Sequence, residues 1–107
     1  MFLLVLRARD IETTVAFYRS LGIHFSPEQH GQGPRHFASE QNGFVFEIYP
    51  LKASQGEISD SLMIGFQVES LRATLDALNS SAEIKSGETR FCTLHDPDGR
   101  SVRLEER

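Results

Sequence analysis

The strongest constraint on this chain is that its pattern is written twice. Asp10-Ile11 in the first half is answered by Ser70-Leu71 in the second, and Gly43 is answered by Gly99. Both halves read as a strand, a helix cap, a helix, then strands that close on a glycine turn before a last strand. A period of about half the chain means a doubled supersecondary unit, here βαβββ followed by βαβββ. At 107 residues the two units share a single domain. No low-complexity segment interrupts either one.

In the first half, Phe2 to Leu6 is an apolar run closed by the polar stretch Arg7 to Asp10, which reads as a buried strand. The Asp10 carboxylate can accept from the free amides of a first helical turn. Ile11, Val15, Tyr18 and Leu21 then recur at spacings of 4, 3 and 3, one face of a helix. Gly22 suits the C′ position, where positive φ is needed. His24 to Gln29 carries only a weak signal, and a Gly/Pro-rich loop runs from Gly31 to Pro34. Arg35 to Ser39 and Phe44 to Tyr49 predict two strands joined through Asn42-Gly43, a hairpin turn.

The polar stretch 51–61 reads as a linker between module one (1–50) and module two (62–107). Leu62 to Val68 predicts a strand, Ser70 a cap, and Leu71, Leu75 and Leu78 a helical face. Ala82 to Lys85 is a possible strand. Arg90 to Leu94 and Ser101 to Glu105 predict strands around Asp96-Pro97-Asp98-Gly99, where Pro suits a central turn position and Gly the positive φ after it.

Composition excludes several functions. The net charge is -4, and the 11 Lys and Arg residues are scattered, so no nucleic-acid partner is expected. Met1 to Leu6 is too short for a signal-peptide core or a membrane span. Cys92 is the one cysteine and cannot close an internal disulfide, which fits a reducing compartment. The expectation is a cytoplasmic domain with no membrane partner. A domain this short buries only about two-thirds of its unfolded surface, so contact with a second copy would help it.

Three stretches carry a family resemblance. They are Asp10-Ile11 with Ala16-Phe17-Tyr18 and Leu21-Gly22, then Phe66 to Leu71, then Asp96-Pro97-Asp98-Gly99 with Val102 and Leu104. Together they resemble the vicinal oxygen chelate superfamily, which holds glyoxalases, bleomycin resistance proteins and dioxygenases. The resemblance implies an α+β fold: paired βαβββ modules forming an incomplete eight-stranded barrel around a cup, usually in a homodimer. Many such proteins are enzymes that chelate a divalent metal in the cup through His and Glu. Others carry no metal and sequester a drug.

Carried over position by position, the family's four metal ligands fall on Leu3, Glu47, Met63 and Arg103. The repeat supports that placement, since Glu47 and Arg103 each stand four residues past a turn glycine. Leucine has no lone pair, a thioether is too soft for such sites, and Arg is always protonated. Neither a metal nor another cofactor is expected. His24, His30, His36 and His95 lie at none of these positions, so each is expected to be solvated or hydrogen-bonded.

Strand alternation sends Leu4, Leu6, Phe46, Ile48, Leu62 and Ile64 toward the helices, with Phe66, Val68, Cys92, Val102 and Leu104. The opposite faces carry Leu3, Glu47, Tyr49, Met63, Gln67, Thr93 and Arg103, a mixed cavity wall suited to a small-molecule ligand. A charge in a cup needs a partner. Glu47 and Arg103 therefore pair with each other or with a ligand, and Arg103 can grip a carboxylate or phosphate bidentately. Against a bleomycin-like cation, Arg103 would neutralise Glu47. His95 is the best general-base candidate, with a solvated rim histidine as the plainer reading. Tyr49 donates to a ligand or simply packs. Cys92 reads as core, not as a nucleophile. Three functions stay open: a metal-free binding protein, an enzyme (a lyase, isomerase or dioxygenase-like one) that needs no metal or uses an unrecognised metal site, and a regulatory partner with no small-molecule role.

Overall fold

The computed structural model describes residues 1–59 and 61–107; Asp60, inside the linker read at 51–61, lies outside the described residues. The order of elements is β1 (Leu3–Ala8), α1 (Ile11–Arg19), β2 (Ser26–Glu28), β3 (His36–Gln41), β4 (Phe44–Pro50), β5 (Met63–Val68), α2 (Leu71–Ala77), β6 (Lys85–Ser86), β7 (Arg90–His95) and β8 (Ser101–Glu106). A 3-10 turn, Ala53–Gln55, sits in the linker. The strands form two separate four-stranded sheets, β1-β4-β3-β2 and β5-β8-β7-β6. In each, the first strand of the module lies parallel to the last, β1 on β4 and β5 on β8. The doubled βαβββ order is therefore present, as an α+β fold with no closed barrel.

Local chemistry explains the element ends. The Asp10 side chain accepts from the Thr13 amide at 3.3 Å, and the Ser70 hydroxyl accepts from the Ala73 amide at 3.1 Å. Asn42 and Gly43 both take positive φ, 54° and 80°, as the tight hairpin requires. Two expectations need correction. Ser26–Glu28 is a strand in a stretch with too weak an apolar pattern to announce it; it is held by pairing with β3. The strand expected at Ala82 to Lys85 exists only at Lys85–Ser86. Ala82 and Ile84 are partly buried against the core without joining the ladder.

The helix-facing set is inward largely as alternation requires: Leu6, Phe46, Ile48, Val68, Cys92, Val102 and Leu104 are buried in one core. Leu62 is the exception. It precedes β5 and stays 41% exposed. Tyr18 is the hub between the modules. Its ring meets Phe46 of the first sheet at 5.2 Å and Phe66 of the second at 5.7 Å. Its hydroxyl donates to Asp96 Oδ2 at 2.6 Å.

Asp96 belongs to a buried polar knot at the β7–β8 turn. Its Oδ1 accepts from the amides of Asp98 and Arg100, and its Oδ2 also accepts from Arg100 Nη1 at 3.0 Å. Asp98 accepts from Thr14 Oγ1 at 2.7 Å and from the Arg9 amide at 3.0 Å. Arg100 Nη2 donates to the Arg7 carbonyl. Module two is thus plugged into α1 and the end of β1. Among the described residues, no helix is long and apolar enough to cross a membrane.

Two variants test the knot. Tyr18→Phe removes a hydrogen bond to a buried carboxylate and should lower the unfolding free energy by about 1.5–3 kcal/mol. Asp96→Ala removes the nearer of the two buried carboxylates that face the Arg100 guanidinium, the other being Asp98 with Oδ2 3.6 Å from Nη1, and should cost about 3–5 kcal/mol. Denaturant titration reads both, and two near-neutral variants would remove the knot from the account. Burial, then the Asp96 carboxylate, raises the Tyr18 phenol above its ordinary 10. A raised folded value means the stabilisation is whole below pH 10 and is lost as pH climbs toward the folded value. Stability should fall as pH rises above 10, less steeply in Tyr18→Phe; equal slopes would contradict the assignment.

Candidate functional site

Each sheet turns one face to the helices and leaves the other open. On the first sheet, Val5 pairs with Glu47 and Arg7 with Tyr49 across β1 and β4, and Ala38 of β3 pairs with Glu47 from the other side. On the second, Gly65 and Thr93 flank Arg103, and Gln67 pairs with Glu105. Glu47 and Arg103 therefore hold matching places in the two modules. Leu3 opens β1 and Met63 opens β5. Two apolar side chains, a carboxylate and a guanidinium do not fit a divalent ion at those four places: only Glu47 offers a hard donor.

The pairing expected between Glu47 and Arg103 is not made within this chain, because they stand on different sheets. Arg103 turns to its own strand: Nη2 lies 3.1 Å from Glu105 Oε1, and the guanidinium covers the Phe91 ring at 3.9 Å. It stays about a third exposed and lines a small cavity of about 280 Å³ with Gly65, Gln67 and Glu105. Gly65 has no side chain to fill the space in front of it. Glu47 instead faces His36, with Oε2 3.6 Å from Nε2.

His36 was expected to be an ordinary hydrogen-bonded histidine, yet it is the most enclosed polar group on the open face, 1% exposed. Tyr49 packs flat against it, ring centroids 4.1 Å apart, and the Arg7 guanidinium covers Tyr49 at 4.7 Å. Of the two readings for Tyr49, packing is the one this geometry carries. Its phenol is raised by burial and by the nearby Glu47 charge. Around His36 stand Glu28, His30 and Glu47. Alternation could have aligned Glu28 with His36, but only if β2 had been read as a strand.

The other expected residues are dispersed. Thr93 and His95 lie exposed on β7, and among the described residues the His95 side chain makes no ion pair or hydrogen bond. The general-base reading gains no partner. Cys92 is fully buried, and burial raises its thiol above the ordinary value, which suits core packing. A larger apolar cavity of about 560 Å³ opens on the helix side between the sheets, lined by Leu4, Phe44, Phe46, Met63, Ile64 and Phe66. Of the expected site residues, only Met63 reaches it.

Comparison with known proteins agrees with this architecture. No curated protein matches the sequence. Solved structures with the same fold include Oxidase ChaP-H2 (17% identity, TM-score 0.75, covering 100% of this chain and 92% of that one). Another is TnmS3, an antibiotic binding protein from Streptomyces sp. CB03234 (18%, 0.72, 97% and 92%). A third is a bleomycin-binding protein complexed with bleomycin (17%, 0.59, 100% and 97%). The family model described as Glyoxalase/Bleomycin resistance protein/Dioxygenase superfamily matches residues 2–103. With the doubled βαβββ frame and the match running nearly end to end, the chain belongs to that superfamily.

Proposed function

We propose that this chain binds a small organic molecule against the open faces of its sheets, without a metal ion at the position the family's enzymes use, and that a second copy completes the cup. The observation that carries this reading is uncovered apolar surface beside fixed charge. Leu3 and Val5 are each 38% exposed and Met63 is 56% exposed, on the same faces as Glu47 and Arg103. A mostly apolar wall with a few polar anchors suits a ligand cavity, and clustered apolar exposure marks a binding surface. The antibiotic-binding and bleomycin-binding proteins that share this fold support the same class of ligand.

Shape supports the second copy. The chain measures 47 × 30 × 26 Å, with a radius of gyration of 14.4 Å. A compact chain of this size has a radius of about 13 Å. The edge strands β1 and β5 each lack a neighbour on one side, and open edges are normally covered. The unpaired, buried thiol of Cys92 is compatible with the cytoplasm.

Arg103 sets the ligand class. Its guanidinium rests on an aromatic ring and is held by one partly exposed carboxylate. A ligand carboxylate or phosphate can take the place of Glu105 and gain two charge-assisted hydrogen bonds. Aromatic acids are therefore favoured over cations.

Thermal-shift screening against a panel of aromatic carboxylates and antibiotics should raise the melting temperature for at least one acid. Arg103→Met should then weaken that acid about tenfold to a hundredfold, the loss of a hydrogen bond to a charged group. Full binding by Arg103→Met, with binding lost in Ile64→Trp, would move the ligand to the apolar cavity between the sheets and overturn the open-face reading.

A further inference from the structure

We propose that Glu28, His30 and His36, with the Glu47 carboxylate beside His36, form a binding site for a divalent transition-metal ion of the zinc type. None of these three donors is a position carried over from the family; Glu47, which is one, stands next to the site. The site does not depend on the ligand reading above.

The backbone register assembles it. Glu28 of β2 pairs directly with His36 of β3, and His30 follows two residues after Glu28. Ala38, the β3 partner of Glu47, carries only a methyl group, so the Glu47 carboxylate can lean past it to His36. Pro34 ends the intervening loop and offers its carbonyl to the His36 ring.

That carbonyl decides the chemistry of His36. The Pro34 oxygen lies 3.2 Å from Nδ1. A carbonyl can only accept, so Nδ1 carries the hydrogen. In the neutral ring this leaves Nε2 with its lone pair free, the arrangement in which a backbone carbonyl orients a metal-binding imidazole. Nε2 is buried and has no hydrogen-bond partner. It faces Glu28 Oε1 at 3.3 Å and Glu47 Oε2 at 3.6 Å. A bare lone pair aimed at two carboxylates is repelled by both, and a cation between them relieves the conflict. Among the described residues, no Arg or Lys pairs with either carboxylate.

The spacing fits a metal ion. Tetrahedral zinc bonds of about 2.0–2.1 Å place neighbouring ligand atoms about 3.3–3.4 Å apart. Here His36 and His30 present Nε2 to Glu28 Oε1 at 3.3 and 3.5 Å. The donor atoms of Glu28, His30 and His36 all lie within 4.8 Å of one another. Two imidazoles with carboxylates suit zinc, cobalt, nickel or copper better than magnesium or calcium. The two carboxylates balance the ion's charge. His30, largely exposed, stands on the outer side of the site.

Titration of untagged, metal-stripped protein with Co²⁺ tests the proposal. One equivalent per chain should bind, with the visible absorption of a four-coordinate ion, and Zn²⁺ should displace it. His30→Ala and Glu28→Gln alter exposed or half-exposed side chains and should fold normally, as circular dichroism checks. Each should weaken Co²⁺ binding at least tenfold. The absence of saturable binding would overturn the proposal. So would binding that both variants leave unchanged. No organic ligand is present in the titration, so its failure leaves the ligand reading untouched.

Discussion

The carboxylate of Asp96 accepts four hydrogen bonds, and the joining of the two halves depends on them. Two come from the amides of its own turn, one from the Arg100 guanidinium and one from the Tyr18 hydroxyl on the first helix. A buried carboxylate without such partners would cost several kcal/mol. With them, it binds the second module to the first at a fixed orientation. Asp98 extends the same contact to Thr14 and the Arg9 amide. The aromatic contacts of Tyr18 with Phe46 and Phe66 sit beside the polar knot. One side chain therefore unites the polar and apolar halves of the junction.

The placement of the open faces follows from that junction. Because the modules meet through α1, Phe46 and Phe66, their helix-facing surfaces turn inward, and the opposite faces remain uncovered. Glu47 and Arg103 then lie on separate sheets, and each finds a local partner. Arg103 rests on Phe91 beside Glu105, while Glu47 turns to His36. In each module, the position four residues past the turn glycine is a charged anchor in a mostly apolar wall.

Much of the frame was legible in the sequence, because it rests on local chemistry. The caps at Asp10 and Ser70, the Asn42-Gly43 turn and the alternation of β4 and β8 need no tertiary information. Short strands were harder. Ser26–Glu28 contains a proline and no apolar alternation, so its pairing with β3 could not be seen in advance. The Glu28, His30 and His36 group was missed with it, since only that pairing brings Glu28 beside His36. The Asp96 knot was hidden for a different reason. Asp-Pro-Asp-Gly reads as a surface turn, and nothing local says that both carboxylates are buried. The site residues Leu3, Met63, Glu47 and Arg103 fell on the open faces as alternation requires, but alternation is silent about which sheet faces which.

The proposed cup requires a second copy of the chain to complete its open faces. Sedimentation equilibrium of the purified protein at micromolar concentration tests it most directly. A species of twice the 12.1 kDa of one chain is expected. A stable monomer that still binds the small-molecule ligand at full strength would contradict it.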